Sequence, residues 1–283
     1  MIAVTGASGQ LGHLVIQNLL GAVPAHEIIA AVRTPKRAQD LAALGVQVRQ
    51  ADYDRPETLA QAFLGVEKVL LVSSSEVGRR FLQHKAVIDA AKQAGVKLLA
   101  YTSLLNADTS PMGLAAEHRE TEAHLKASGL PFVLLRNGWY TENYAASVAP
   151  AVQFGVYLGS AGAGRIASAA RADYAEAAAR VLIAPGQAGK VYELAGDVSY
   201  TLAEFAAEVS RQSGKPVAYQ NLPEEAFRGA LLKAGLPEGL ASLLAESDTG
   251  ASKGGLFDDR RQLSALIGRP TTPFSAVIKT ALQ

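Results

Sequence analysis

Apolar runs of strand length alternate along the first half of the chain with longer stretches in which apolar residues recur every three or four positions. The runs cover residues 2–5, 27–33, 46–51, 68–73, 97–102 and 132–136, and a seventh returns at 191–194. The helical pattern covers 10–20, 35–44, 56–64, 79–94 and 113–128. Strands that are apolar throughout, rather than alternating, are buried on both faces, as in a parallel sheet covered by helices. Gly45, Gly65 and Gly95 each end a helical pattern and are followed at once by valine, which fits glycine closing a helix. The pattern predicts an α/β fold built on a doubly wound parallel Rossmann sheet.

After about residue 138 the rhythm breaks. The stretch 155–164 is glycine-rich with interleaved apolar residues, and no long helix opens from it, so it reads as a hairpin rather than a second phosphate loop. Residues 201–214, 223–234 and 238–246 look helical, while polar, glycine-rich 247–255 reads as a break before a final helical tail. The expected organisation is a nucleotide-binding Rossmann domain over 1–150, with a returning strand near 191–195. A small C-terminal α/β lobe over 151–283 then covers the carboxyl edge of the sheet, where a substrate would sit.

Composition narrows the function classes. A chain of 283 residues that is 49% hydrophobic buries enough core for one large domain, or one domain plus a lobe. The net charge is +1, and no run of five like charges points to nucleic acid or a membrane surface. Cysteine is absent, which excludes disulfides, cysteine metal sites and thiol catalysis. No apolar stretch reaches the roughly 18 residues of a membrane span, and the first strand starts at residue 2 without a signal-like segment. A cytoplasmic protein with no obligate protein partner is the expectation.

The first strand runs straight into Gly6-x-x-Gly9-x-x-Gly12, and a helix follows at once. Glycine permits the tight turn and close backbone approach, and the helix N-terminus points free N–H groups at phosphates. The spacing departs from the usual G-x-G-x-x-G; its place between strand and helix marks it as a dinucleotide loop. The second strand ends in Arg33, followed by Lys36 and Arg37, with no acidic residue between Glu27 and Asp40. An arginine there accommodates the 2′-phosphate of NADPH, where an acidic residue would select NAD. Lys36 and Arg37 also fit a merely solvated helix face. Asp52, ending the third strand, either holds an adenine amino group or caps the strand. Ser73, Ser74 and Ser75 end the fourth, as small residues beside a cofactor or as a polar turn.

Ordinary short-chain dehydrogenases use Tyr-x-x-x-Lys, in which lysine lowers the tyrosine pKa for proton exchange. None of the nine tyrosines has lysine four residues on. His118 and Glu122 occupy the helix where the pair belongs, sharing one face as a proton-relaying pair or an exposed hydrogen-bonded one. His118 and His124 are six apart, which is not metal-ligand spacing. A site without a proton donor still passes hydride directly to a quinone or a cationic dye, and no flavin signature is present. The stretch 136–143 leaves the sixth strand at the carboxyl edge. Asn137 and Asn143 offer amides for a nicotinamide carboxamide, and Trp139 and Tyr140 offer a flat wall for an aromatic acceptor or pack the lobe. Tyr101 is expected at the same cleft, with a pKa too high for a strong acid.

Gly6-Ala-Ser-Gly-Gln-Leu-Gly12, Arg33, Ser73-Ser74-Ser75, Tyr101-Thr-Ser103 and Leu135-Arg-Asn-Gly-Trp-Tyr-Thr-Glu-Asn143 together resemble the NmrA-like, atypical short-chain dehydrogenases. Residues 250–258 and 266–272 extend the likeness over nearly the whole chain, most of all to members that reduce quinones with NADPH; triphenylmethane-dye reductases are similar over the same length. The resemblance implies a monomer that binds NADPH through Gly6, Ala7, Ser8, Gly9, Gln10 and Leu11, through Arg33, and through Ser73 to Ser75. It further implies contacts from Asn137, Gly138, Trp139, Tyr140 and Asn143. Tyr101, His118, Asn137, Trp139 and Tyr140 are the acceptor-site candidates, with a small-molecule quinone as substrate. A non-enzymatic NADP-binding redox sensor is the competing reading, and the missing Tyr-x-x-x-Lys disfavours a sugar-nucleotide epimerase.

Overall fold

The computed structural model describes residues 1–283. Its nine strands are β1 (Ile2–Thr5), β2 (Ile28–Val32), β3 (Gln47–Gln50), β4 (Lys68–Leu71), β5 (Leu98–Leu104), β6 (Phe132–Asn137), β7 (Val156–Gly159), β8 (Val191–Leu194) and β9 (Ala218–Asn221). Seven form one parallel sheet in the order β3-β2-β1-β4-β5-β6-β8. The order reverses between β1 and β4, so a crevice opens there at the carboxyl ends of the strands.

Side chains alternate across the buried strands and feed two cores. Val4, Ala30, Leu70 and Ala100 pack under the helices Gln10–Leu20 and Arg171–Ile183. Ala3, Ile29, Leu71 and Leu99 pack under Pro56–Ala62, Arg80–Gln93 and Ala115–Ser128. The doubly wound α/β architecture is therefore as the apolar runs predict. The returning strand is β8, and the helix before it, Arg171–Ile183, lies on the sheet as well.

A third core, around Tyr144, Tyr157, Tyr200 and Phe205, organises the rest. The helix Leu202–Ser213 starts at a capping box, in which Thr201 Oγ1 accepts from the Glu204 N–H and Glu204 accepts from the Thr201 N–H. Two expectations fail in this part of the chain. The 155–164 stretch is not a hairpin: β7 pairs in parallel with the distant β9, Val156 opposite Ala218 and Gly159 opposite Asn221. Its glycines serve close packing, because a Cβ on Gly159 would lie 2.6 Å from Leu202 Cδ1 and 2.8 Å from Asp248 Oδ2. Nor does 247–255 break the chain at its start, since one helix runs Glu238–Ser252. The polar residues face inward and are partnered: Ser247 Oγ donates to the Leu243 carbonyl, and Asp248 accepts from Tyr144 Oη (3.0 Å) and the Ser160 N–H (2.9 Å). No helix is long and apolar enough to cross a membrane.

The approach of Gln10–Leu20 to β1 depends on Gly12, where a Cβ would lie 2.6 Å from the Gly6 carbonyl oxygen and 2.9 Å from Ala7 Cα. Both neighbours are backbone and cannot yield cheaply. Gly12→Val is expected to destabilise the fold by about 1–3 kcal/mol in urea denaturation. Gly229→Ala, in the helix Glu224–Lys233 with open space around it, is expected to stabilise by roughly 0.5–1 kcal/mol. Equal effects at the two positions would refute the close-approach role of Gly12.

Candidate active site

β1 ends at Thr5, and Gly6 turns the chain in the left-handed region at φ +59°. The Gly9 N–H then donates to the Gly6 carbonyl (2.9 Å), and the helix opens at Gln10 with Gly9 as an N-cap that has no side chain to occupy the first amides. No acidic residue sits in the first turn, so the positive helix end faces outward uncompensated. A cleft of about 370 Å³ opens over this turn. Gly6, Ser8, Gly9, Gln10 and Leu11 line it from β1, and Ala7 lies buried beneath.

The other walls come from the ends of β2, β3 and β4. Arg33 and Arg37 line the cleft while Lys36 does not, so only one of the two extra cations belongs to it. Asp52 lines it too, and also accepts from the Asp54 N–H (3.1 Å), so it serves as a strand-end cap. Tyr53 Oη donates to the Val72 carbonyl (3.0 Å) and bonds Thr5 Oγ1 (2.5 Å), tying three strand ends into one floor. Ser73, Ser74 and Ser75 form the far wall. The Ser73 N–H donates to Thr102 Oγ1, the Ser74 N–H to His84 Nε2 (2.9 Å), and Arg80 Nε to the Ser74 carbonyl (2.8 Å). Ser74 Oγ also bonds Gln83, so one helix grips this serine by backbone and side chain alike.

Behind that wall lies a buried polar layer. Because His84 Nε2 accepts, Nδ1 carries the proton and donates to Thr121 Oγ1 (3.0 Å), whose hydroxyl donates to the Glu117 carbonyl. Burial, with the Arg80 charge beside it, pushes His84 down to about 3 and keeps the ring neutral. Tyr101, expected at the cleft, is instead fully buried in this layer, its hydroxyl 2.6 Å from His118 Nδ1. The reason is strand length: β5 continues three residues past Tyr101 to Leu104, so Tyr101 lies mid-strand facing the helices. Burial raises the Tyr101 phenol far above its usual range and pulls His118 well below its own. His118 and Glu122 are neither exposed nor bonded to each other. Glu122 instead takes Arg136 in two parallel bonds (2.8 and 2.6 Å) together with Ser103 Oγ (2.6 Å).

A second cavity, of about 1310 Å³, adjoins the first and shares Ser8, Gly9 and Gln10 with it. Asn143, Glu142, Ser147, Arg171 and His13 are among its polar groups, and Phe154, Leu231, Leu236, Leu240 and Leu244 form its apolar wall. Asn143 thus meets the glycine loop, whereas Asn137, Gly138, Trp139 and Tyr140 line neither cavity. Gly138 permits close packing against Tyr174 and the Leu194 carbonyl. Trp139 is a core residue of the third cluster with Leu104, Met112 and Tyr144, so it packs the lobe rather than presenting a flat wall. Tyr140 is half-buried under the Arg171 guanidinium, 4.6 Å above its ring. Asn137 Oδ1 and Trp139 Nε1 are buried without partners. Sequence reasoning missed Glu76, Gln83 and Tyr53 in the first cleft and Arg171 and the leucines in the second. Glu76, Tyr53 and Leu236 lie on loops, and the others lie on helices whose pattern gives the element but not which residues turn toward a cavity.

Residues 1–269 match the model of the NmrA-like family. The chain is 63% identical over 272 residues to quinone oxidoreductase 2 of Escherichia coli strain K12, covering 96% of this chain and 95% of that one. It superposes on the crystal structure of the NADPH-dependent quinone oxidoreductase of Escherichia coli in complex with NADPH at a TM-score of 0.98, with 60% identity and both chains wholly covered. It also matches triphenylmethane reductase of Citrobacter sp. complexed with NADP(H), at a TM-score of 0.95 and 39% identity over 99% of this chain and 100% of that one.

The neutral His84 makes folding depend on pH. Its folded pKa lies below its unfolded value, so its stabilisation is complete above about pH 6.5 and drains away as pH falls toward 3. In urea denaturation between pH 6 and 4, His84→Gln is expected to lessen the loss of stability by about 1.4 kcal/mol per pH unit relative to the unaltered chain. Parallel pH profiles would show that His84 titrates normally.

Proposed function

Because the chain belongs to the NmrA-like family, we propose that it is an NADPH-dependent quinone oxidoreductase that delivers hydride straight to the quinone. That reading rests on one geometric fact: Ser8, Gly9 and Gln10 line both cavities, so a phosphate-binding turn borders a second, largely apolar chamber. The residues present suit the nucleotide, since the helix amides are uncapped and the Arg33 guanidinium reaches the cleft from a largely exposed side chain. Gly6 to Leu11 would hold the pyrophosphate, Arg33 the 2′-phosphate, and Ser73 to Ser75 the edge of the adenosine. Asn143, which meets the glycine loop in the second cavity, would stand at the nicotinamide end. NADPH, when bound, supplies the hydride.

The chain's own contribution is to position and enclose. Leu231, Leu236 and Leu244 give one side of the chamber an apolar face against which a flat acceptor can lie, and Asn143 and Arg171 offer it polar edges. No side-chain acid is needed from the protein: Tyr101 is locked to His118 in the core, and hydride converts a quinone to a hydroquinone monoanion, whose phenolate-like oxygen one solvent proton neutralises. The chamber's volume also admits a three-ring cationic dye, which the likeness to triphenylmethane reductase favours as a second acceptor. On this reading residues 1–150, with the strand near 191–195, bind the nucleotide, while 151–283 chiefly shape the acceptor side.

Added quinone is expected to accelerate the loss of reduced-nicotinamide absorbance. Nucleotide binding with no acceleration by any quinone or dye would favour a redox sensor instead. Arg33→Asp is expected to raise the Michaelis constant for NADPH ten- to a hundredfold, as the loss of a charge-assisted contact of about 1.5–3 kcal/mol implies. An unchanged constant would show Arg33 to be an ordinary surface cation. Gly9→Val, which drives a branched side chain into the turn beside the Gly6 carbonyl, is expected to abolish nucleotide binding in a folded protein. Calorimetric titration with NADP⁺ checks this, and retained binding would refute the phosphate-loop role.

A further inference from the structure

Arg33 is not free in the nucleotide cleft. Its NH1 lies 3.2 Å from Glu76 Oε1, across the gap between the ends of β2 and β4, and both residues line the cleft. The second carboxylate oxygen of Glu76 accepts from Gln83 Nε2 (3.0 Å) and lies 3.4 Å from Arg79 NH1. Gln83 and Arg79 are themselves fixed by Asp54, at 3.2 and 2.9 Å. Glu76 is thus anchored from behind and offers its outer oxygen to Arg33, whose side chain is 65% exposed and otherwise free to swing. Asp52, Asp54 and Glu76 provide three carboxylates here, and Arg33, Arg37 and Arg79 three guanidiniums.

Building on the nucleotide reading above, we infer that Glu76 is a specificity-determining residue that restrains the preference for a 2′-phosphorylated nucleotide. A 2′-phosphate must take Arg33 from this carboxylate and then sit beside an anion that Gln83 and Arg79 hold in place. A nucleotide with a free 2′-hydroxyl has no such conflict, because the Arg33–Glu76 pair survives and the carboxylate accepts from the ribose. One cation therefore attracts the phosphate while one anchored anion opposes it, and discrimination is the difference between the two. An arginine at the end of β2 by itself signals strong selection for NADPH; the carboxylate opposite converts that into moderate selection with NADH still admitted.

Calorimetric titration of the whole protein with NADP⁺ and with NAD⁺ tests this without reference to turnover. Glu76→Gln keeps the side-chain shape and an oxygen for Gln83. It is expected to lower the dissociation constant for NADP⁺ roughly three- to tenfold, the scale of a partly exposed ion pair plus one removed repulsion. The constant for NAD⁺ should stay level or rise by up to about threefold, because the ribose loses its carboxylate acceptor. In an Arg33→Ala background most of the gain for NADP⁺ should vanish, because the contested cation is gone. A NADP⁺ to NAD⁺ ratio unaltered by both Glu76→Gln and Glu76→Ala, in a protein that binds NADP⁺, overturns the role of Glu76 alone. An unaltered chain that binds neither nucleotide overturns the nucleotide reading and this inference with it.

Discussion

The closeness of the helix Gln10–Leu20 to β1 governs the whole carboxyl edge. With no side chain at Gly12 the helix seats directly on the Gly6 turn, which aims its uncapped amides along the crevice where the strand order reverses. The same helix packs under Arg171–Ile183, so its placement also fixes where the chain returns to the sheet as β8. Its exposed side then turns His13 and Leu14 toward the second cavity. The first cleft, the returning strand and the second cavity all border this one helix.

The sheet was legible because burial on both faces leaves unbroken apolar runs, and because Gly45, Gly65 and Gly95 do adopt the left-handed helix-ending conformation. The lobe was less so. Glycine marks a turn and a close approach with the same letter, and at Gly159 the approach of Leu202 and Asp248 decided the matter. Ser247 and Asp248 look like loop residues, yet both are buried and hydrogen-bonded inside a helix. Such partners are remote in sequence, and no local pattern announces them.

At the site, the residues that turn on backbone geometry were visible and those that turn on side-chain partners were not. Gly6, Gly9 and Arg33 follow from strand-turn-helix logic, and all three line the cleft. Tyr101 was misplaced because β5 outruns its apolar pattern through Ser103 to Leu104, which moves the edge of the sheet beyond it. Arg33 and Glu76 are 43 positions apart, and nothing in either neighbourhood foretells their pairing. His118 and Glu122 share a face as their spacing requires, but each finds its partner on the sheet: Tyr101 for one, Arg136 and Ser103 for the other.

The helix Glu238–Ser252 divides its labour along its length. Near its start Leu240 and Leu244 face the second cavity; near its end Asp248 clamps Tyr144 and the turn at Ser160. Anchorage and recognition are thus separate residues on one rigid rod. Substitutions can accumulate on the chamber side while the clamp holds the rod in register, so acceptor range can drift during evolution without passing through an unfolded ancestor. A single scaffold is in that sense already prepared to diversify among flat aromatic oxidants.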